Sequence, residues 1–211
     1  MERVIIFDTT LRDGELAETF TDYVQFDIMD GQFVPSRSIT AEHLRGLPMK
    51  LRWEAHLMVQ NPLDYLESFR EAGAQRVVFH YESTTSPEKV ISLARSLGLE
   101  TGLAVNPETP VPAILPLADE VDSVLFLSVN PGFYGSRFIP GVLDKVAEFR
   151  NARSDVETGI DGGIKENNIA QIARSGPDVI YVGSAIFLQP DQGKSFRHLT
   201  DLARESSKKQ Q

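Results

Sequence analysis

The chain has 211 residues, of which 41% are hydrophobic and 24% charged, a composition typical of a globular protein with a sizeable core. Its formal net charge of −9 argues against binding to nucleic acids or to anionic membranes, because both require a positive surface. The absence of cysteine excludes disulfides, thiolate metal sites and cysteine nucleophiles, and a cytoplasmic location is expected.

Short runs of β-branched and aromatic residues alternate with helix-like stretches, a pattern typical of βαβ units around a parallel sheet. Charged residues interrupt the first apolar run, so neither a signal peptide nor a membrane span is expected there. The predicted strands are 4–7, 23–29, 53–58, 76–80, 100–105, 123–129, 157–161 and 179–182. The predicted helices are 62–72, 87–97, 111–117, 141–153, 167–174 and 195–206.

Eight strands in a chain of this length predict an α/β fold, a (β/α)8 TIM barrel. No linker or shift in composition divides the chain, so we predict one barrel domain over residues 1–205 and a polar C-terminal tail over 206–211. Only positions 8–22 separate the first two predicted strands, which predicts a shortened or missing first helix. The flank left thinly covered could be buried by a partner subunit.

The active site of such a barrel lies where the strands end, and the predicted strand ends carry unusually polar residues. Period-two alternation places Gln25, Asp27 and Met29 on one face of the second strand. The same alternation places His56 and Met58 on one face of the third strand. Because the opposite face of the second strand is apolar and should meet the helices, these polar faces are expected to point into the barrel.

Asp161, at the end of the seventh strand, is expected to lie opposite Asp27 and His56. Two carboxylates and an imidazole that converge can hold a divalent metal, or the two carboxylates can serve as an acid/base pair on the two faces of a substrate carbon. Each residue also has a purely structural alternative, with Asp27 as a turn cap and His56 as a buried core histidine.

Glycine-rich loops follow the sixth, seventh and eighth strands, where phosphate is usually bound in such barrels. Backbone N–H groups can approach phosphate oxygens closely at glycine, although ordinary turns use the same residues. The loops span residues 129–136, 162–163 and 183–184.

Six segments occur in the order and register of one known family. The segments are DIMDGQFVP at 27–35, AHLM at 55–58, GLAVNP at 102–107, VNPGF at 129–133, DGGI at 161–164 and GSAIF at 183–187. Together they resemble ribulose-phosphate 3-epimerase, and the resemblance extends from about residue 23 to 187. It implies a barrel of the ribulose-phosphate-binding type in the pentose phosphate pathway.

The resemblance implies epimerisation at C3 of a pentulose 5-phosphate, between ribulose 5-phosphate and xylulose 5-phosphate, through a metal-stabilised enediolate. Asp27 and Asp161 would be the catalytic acid and base, and Asp27, His56 and Asp161 would also be ligands of a divalent Zn, Fe, Mn or Mg ion. The implied substrate- and phosphate-binding residues are Met29, Met58, Asn130, Gly132, Phe133, Tyr134, Gly135, Gly162, Gly163, Gly183 and Ser184.

The sequence departs from the family pattern at several positions, including Leu127 in place of a methionine on the sixth strand. Gln25 stands where the family has a metal-binding histidine, which makes Gln25 a weak ligand and favours a harder ion such as magnesium or manganese. Tyr134 stands where the phosphate loop usually has glycine. These departures keep open a second hypothesis from a different class, a homologue that binds sugar phosphates but has lost or altered its catalysis.

The segment FDTTLRDGE at 7–15 instead resembles the opening motif of the isopropylmalate synthase and hydroxymethylglutaryl-CoA lyase group. That group also requires a His-x-His pair, which the sequence lacks, so its chemistry is not expected here. Asp8 could replace the ligand that Gln25 does not supply, or it could form a local ion pair or cap with Arg12. A homo-oligomer, a dimer or a hexamer, is expected.

Overall fold

A closed barrel of eight parallel strands, in the order β1 to β8, forms the centre of the molecule. The computed structural model describes residues 3–8 as backbone, and residues 20–21, 23–47, 50–132 and 136–208 in full. The strands are β1 Arg3–Asp8, β2 Tyr23–Met29, β3 Arg52–Met58, β4 Arg76–His80, β5 Glu100–Val105, β6 Ser123–Leu127, β7 Glu157–Asp161 and β8 Val179–Val182. The predicted α/β barrel is therefore confirmed.

Helices follow most strands and cover the outside of the barrel. The α-helices are Ala41–Leu44, Leu66–Ala72, Pro87–Ser96, Val111–Ile114, Val142–Ala152, Glu166–Arg174, Ser184–Phe187 and Gln192–Lys208. Short 3-10 helices cover Pro62–Asp64, Tyr81–Ser83 and Leu115–Leu117. Among the described residues, none of these helices combines the length and the apolarity that crossing a bilayer requires.

Several helices differ in detail from the prediction. The predicted helix 62–72 is divided into a 3-10 turn and an α-helix that ends at Gly73, whose φ of +102° only glycine adopts readily. The last helix continues through Lys208, so the first three residues of the predicted tail are helical. The predicted shortened or missing first helix falls in a segment of which only residues 20–21 are described.

The main apolar core lies between the outer face of the barrel and the helices. Val24, Phe26 and Ile28 alternate along β2 and are almost completely buried, as the apolar face of the strand predicts. Phe26 packs edge-to-face on Trp53 of β3, with ring centroids 5.5 Å apart. The alternate residues of β2 therefore point into the barrel, and the register pairs Asp27 with His56.

A cluster of charged and phenolic side chains occupies the end of the barrel interior where the strands begin. Its members, which we call the N-terminal cluster, are Tyr23, Glu54, Arg76, Glu100 and Glu157. The Arg76 guanidinium lies 2.6 Å from Glu157 Oε1, 3.0 Å from Glu100 Oε2 and 3.5 Å from Glu54 Oε2. The Tyr23 hydroxyl donates to Glu54 Oε2 at 2.9 Å. One buried cation thus serves three carboxylates.

Candidate active site

Three buried side chains converge at the other end of the barrel interior, where β2, β3 and β7 end. Ligand atoms of Asp27, His56 and Asp161 all lie within 4.8 Å of one another. Nδ1 of His56 lies 2.8 Å from Oδ1 of Asp27, its partner in the strand register. The structure therefore brings together the three residues that the sequence placed at one pocket.

The electrostatics of this group follow from burial without a neutralising cation. Burial and the charge of Glu54 raise the pKa of Asp27 well above its ordinary value. Burial and the charge of Asp27 raise the pKa of Asp161 to about 7. Burial lowers the pKa of His56 to about 4. Within the described residues no Lys or Arg pairs with either carboxylate, so the pKa values of both acids stay raised and their protonation is coupled.

The contacts of Gln25 indicate whether Asp27, His56 and Asp161 are suited to binding a metal. Its side chain is completely buried and its amide nitrogen donates to Asp161 Oδ2 at 3.4 Å. Its amide oxygen has no hydrogen-bond partner among the described residues, and leaving such an acceptor unsatisfied costs about 1–3 kcal/mol. Two carboxylates, an imidazole and an amide oxygen form a donor set that suits a divalent cation. The residues therefore fit a metal, and the rich supply of oxygen favours a hard one.

Two serines that the sequence analysis missed bond to the backbone at the ends of β2 and β7, beside Asp27 and Asp161. The Ser38 hydroxyl donates to the carbonyl of Asp27 at 2.6 Å and accepts from the N–H of Met29 at 2.9 Å. The Ser128 hydroxyl lies 2.8 Å from the carbonyl of Asp161 and 2.7 Å from that of Gly162. Both contacts limit the movement of the aspartates, and no spacing motif marks either serine in the sequence.

A second buried histidine lies behind His56. Nε2 of His80 is 3.0 Å from Nε2 of His56, and Nδ1 of His80 is 3.3 Å from Oε2 of Glu82. Both histidines are 0% exposed. Inward alternation along β4 and the position of His80 at a strand end were the available sequence signals, but neither identified the contact with His56.

The loop that follows β2 is fastened to its neighbours across the mouth of the barrel. Asp30 accepts hydrogen bonds from the backbone N–H groups of Gln32, Phe33 and Gln60, at 2.8–2.9 Å. The Ser36 hydroxyl donates to the carbonyl of Gly132 at 2.6 Å. The loops after β2, β3 and β6 therefore form one connected rim around the acid pair.

The glycines of the predicted phosphate loops have clear packing roles. Gly132, Gly162 and Gly163 all have positive φ, at +89°, +112° and +64°. A Cβ at Gly162 would lie 2.5 Å from a methyl group of Val129, and a Cβ at Gly163 would lie 2.9 Å from the backbone nitrogen of Phe138. Close packing of the chain thus requires these glycines, whatever they bind. Gly183 and Ser184 follow β8 directly.

The remaining predicted residues fall in different places. Met58 is buried and Met29 partly buried at the ends of β3 and β2, whereas Asn130 is exposed. Phe133, Tyr134 and Gly135 lie outside the described residues, as does Arg12. Asp8 ends β1 and pairs with Phe26, but its side chain lies outside the described part.

The sequence model of a family described as Ribulose-phosphate 3 epimerase family matches residues 10–187. Ribulose-phosphate 3-epimerase 1 of Cupriavidus necator is 42% identical over 199 residues, which cover 88% of this chain and 81% of that protein. The chain belongs to the ribulose-phosphate 3-epimerase family. Ribulose-phosphate 3-epimerase of Serratia marcescens is 40% identical over 181 residues, 82% of this chain and 86% of that protein. The family consists of epimerases, which are isomerase-class enzymes, so the chain is an isomerase.

The fold also resembles that of a protein with different chemistry. The structure of 3-hexulose-6-phosphate synthase from Salmonella typhimurium has a TM-score of 0.73 to this chain at 16% identity, with 98% of this chain and 100% of that chain covered. At this identity the likeness concerns the barrel alone. The range matched by the family model includes Asp27, His56 and Asp161, but the match does not address the resemblance of the segment 7–15, whose side chains are not described.

Proposed function

We propose that the protein interconverts ribulose 5-phosphate and xylulose 5-phosphate by inverting the configuration at C3. The observation that carries this proposal is the pair of buried aspartates, Asp27 and Asp161, on strands that lie apart in the barrel. Inversion requires one group that removes a proton from one face of the carbon and a second that returns a proton to the other face. Family membership supplies the substrate class.

The raised pKa values of both aspartates support this acid/base role. Two coupled carboxyl groups with raised pKa values can be present as one acid and one base, and the two can exchange roles for the reverse reaction. The aspartate that is ionised takes the C3 proton, and the electron pair moves into the enediolate of C2 and C3. The protonated aspartate then delivers its proton to the opposite face of C3.

We further propose that Asp27, His56 and Asp161 hold a divalent metal, with Gln25 as a weak fourth ligand. Such an ion would supply positive charge beside the substrate oxygens on which negative charge develops. The unpartnered amide oxygen of Gln25 supports this assignment and favours Mn²⁺ or Mg²⁺ over Zn²⁺ or Fe²⁺. Asp8 remains a candidate ligand; unchanged metal affinity and stoichiometry in Asp8→Ala would remove it.

Substrate binding is proposed for the loops around this group. Met29 and Met58 would line the sugar, and the loops after β6, β7 and β8 would receive the phosphate, as is usual in barrels of this type. The phosphate-binding residues would be Asn130, Gly132, Phe133, Tyr134, Gly135, Gly162, Gly163, Gly183 and Ser184. A homo-oligomer, a dimer or a hexamer, and a cytoplasmic location complete the proposal.

Proton exchange at C3 tests the proposed reaction directly. Ribulose 5-phosphate is incubated in D2O with the protein and Mn²⁺, Mg²⁺, Zn²⁺ or Fe²⁺, and C3 is followed by NMR. We expect deuterium at C3 and formation of xylulose 5-phosphate. Asp161→Asn should lose both, and Asp201→Asn, which changes an exposed aspartate on the last helix, should lose neither.

The same experiment distinguishes the second candidate, a sugar-phosphate-binding homologue without epimerase activity. Gln25 in place of the family's histidine is the observation that favours it. Ribulose 5-phosphate that binds, but neither exchanges nor epimerises with any of the four metals, would establish this candidate and overturn the enzymatic one.

A further inference from the structure

The described strand pairing ends close to both aspartates. Asp161 is the last residue of β7 that pairs with β6, where its partner is Leu127. On the β1 side of β2, the described pairing ends with Asp8 and Phe26, one residue before Asp27. A peptide group beyond the last pair lacks the ladder hydrogen bonds that fix its plane on that side. The orientation of each aspartate therefore depends on contacts from outside the sheet.

Ser128 supplies such contacts to Asp161. Its backbone N–H donates to the carbonyl of Asp161 at 2.6 Å, and its hydroxyl lies 2.8 Å from the same carbonyl and 2.7 Å from that of Gly162. One hydroxyl proton shared by two carbonyls holds two successive peptide planes. Ser128 is completely buried, and its own carbonyl accepts from the N–H of Ile139 at 2.8 Å. The hydroxyl is therefore itself held in place.

The chain directly after Asp161 needs this support. Gly162 and Gly163 follow it with φ values of +112° and +64°. Glycine has more backbone freedom than any other residue, so two successive glycines restrain the preceding residue weakly. The bonds from Ser128 to the carbonyls of Asp161 and Gly162 remove much of that freedom. They thereby fix the direction in which the side chain of Asp161 leaves the backbone.

Ser38 holds the other aspartate in a similar way. Its hydroxyl donates to the carbonyl of Asp27 at 2.6 Å and accepts from the N–H of Met29 at 2.9 Å. Its own N–H donates to the carbonyl of Met29 at 3.2 Å. These bonds fix the two peptide planes that flank Ile28, directly after Asp27. Because Ser38 follows β2 and Ser128 follows β6, the two aspartates have separate supports.

We propose that Ser128 and Ser38 are positioning residues, each of which directs one aspartate, Asp161 or Asp27, toward one face of the reacting carbon. The proposal rests on the two-aspartate reaction proposed above. Each serine acts through the backbone of its aspartate, so the carboxylate stays available to the substrate. A displacement of about 1 Å in a reacting group can cost about 100-fold in rate, which gives these bonds their importance.

Each serine should affect one epimer more than the other. The C3 hydrogens of ribulose 5-phosphate and xylulose 5-phosphate lie on opposite faces, so a different aspartate removes each of them. Each epimer is incubated separately in D2O with the protein and Mn²⁺, and NMR follows early deuterium incorporation into the unconverted starting epimer. The ratio of the two exchange rates cancels any effect that both epimers share.

The expected result is a crossed pattern. Ser128→Ala should slow exchange of one epimer about 10- to 100-fold and of the other much less, and Ser38→Ala should show the reverse preference. Ser128→Thr keeps the hydroxyl and should keep most of the exchange. Equal slowing of both epimers in each alanine variant, unchanged exchange, or equal losses in Ser128→Thr and Ser128→Ala would overturn the proposal.

Two controls remove a hydroxyl from a backbone carbonyl elsewhere. Thr158 is buried near the start of β7 and donates to the carbonyl of Val156 at 3.3 Å, so Thr158→Val matches Ser128→Ala. Ser68 is half-buried on a helix and donates to the carbonyl of Tyr65 at 2.8 Å, so Ser68→Ala matches Ser38→Ala. Neither control should change the ratio of the exchange rates. A shift in a control as large as in the serine variants would overturn the positioning role.

Mn²⁺ affinity of the substrate-free protein is a readout independent of the reaction. Because both aspartates are proposed ligands, Ser128→Ala and Ser38→Ala should weaken Mn²⁺ binding about 10-fold, measured by EPR, while both controls retain it. Equal affinity in all variants would overturn the proposal. If the affinities fall as expected but the unmodified protein exchanges C3 of neither epimer, the proposed reaction fails and the support of the aspartates by the two serines stands.

Discussion

Both ends of the barrel interior contain carboxylates, and β7 contributes one to each, yet their charges are arranged differently. At the N-terminal cluster, Arg76 lies within 3.5 Å of Glu54, Glu100 and Glu157. At the opposite end, Asp27 and Asp161 lie together with a neutral histidine, and no Lys or Arg of the described chain pairs with them. Along β3, only Ala55 separates Glu54 of one end from His56 of the other.

This difference indicates that the polar residues at one end of the barrel have a structural role and those at the other end a functional one. Three carboxylates from β3, β5 and β7 share the buried guanidinium of Arg76, so the N-terminal cluster is suited to holding strands together. Two carboxylates without a cation keep raised pKa values, which suits them to exchange protons or to receive a metal. Four changes, ordered from the largest expected effect to the smallest, test this division.

Asp161→Asn should affect activity far more than stability. We expect kcat to fall about 100- to 10,000-fold, because the amide cannot take or return a proton. The free energy of unfolding of the metal-free protein should not fall, since the change removes repulsion between Asp161 and Asp27. Steady-state epimerisation rates and urea denaturation measure the two effects. Full turnover in this variant would refute the two-aspartate mechanism.

Arg76→Met should affect stability far more than activity. It leaves the buried Glu54 without its cation, which should lower the free energy of unfolding by about 3–5 kcal/mol. Adding Glu54→Gln should recover part of the loss. Arg52→Met is the control: Arg52 is 58% exposed and lies 3.5 Å from Glu100, so a loss below about 1 kcal/mol is expected. Equal losses in Arg76→Met and Arg52→Met would show that the cluster is not an electrostatic unit.

Mn²⁺ should stabilise the protein by binding at the proposed site of Asp27, His56 and Asp161. At a free concentration of 100 times its Kd, binding to the folded state adds about 2.7 kcal/mol to the free energy of unfolding. Asp27→Asn should abolish most of this gain, whereas Arg52→Met should retain it. Chemical denaturation with and without Mn²⁺ measures the gain; an unchanged gain in Asp27→Asn would place the metal elsewhere.

Asp30→Asn, in the rim, should lower the free energy of unfolding by a small amount that depends on pH. Burial acts against ionisation, but hydrogen bonds from the N–H groups of Gln60, Gln32 and Phe33 lower the pKa of Asp30. A carboxyl whose pKa is lower in the folded protein than in the unfolded protein stabilises the fold at pH values above its unfolded-state pKa. This contribution disappears as the pH falls through its folded-state pKa.

The difference in unfolding free energy between the protein and Asp30→Asn should therefore be about 1 kcal/mol at pH 7 and shrink below about pH 4. Denaturation curves at several pH values check this. A difference that stays constant with pH would mean that the shape of the side chain matters and its charge does not.

Local patterns in the sequence predicted much of the fold. Seven of the eight strands lie within one residue of their predicted bounds, because alternation and β-branched runs mark strands strongly. β6 ends at Leu127, two residues early, since Ser128 bonds across to Asp161 and Ile139 outside the regular ladder. The four-residue helix Ser184–Phe187 was not predicted because it is too short to show a helical period.

The candidate site was predictable to the extent that it depends on strand ends and on family motifs. Asp27, His56 and Asp161 were found because they share the inward faces of their strands. His80, Glu82, Ser38 and Ser128 were missed, because a single histidine or serine has no spacing that identifies its partner. Their partners lie on other strands or loops and become neighbours only when the barrel closes.

The sequence by itself determined which side chains point into the barrel, since the period of a strand is set by the backbone, and it identified the family through six ordered segments. Tertiary structure decided which inward charges are paired. Arg76 meets Glu157, 81 positions away, while Asp27 meets Asp161 with only His56 and Gln25 between them and no cation of the described chain. Closure of the barrel sets these distances, and the strength of a buried charge depends on distance and on burial, which local sequence does not contain.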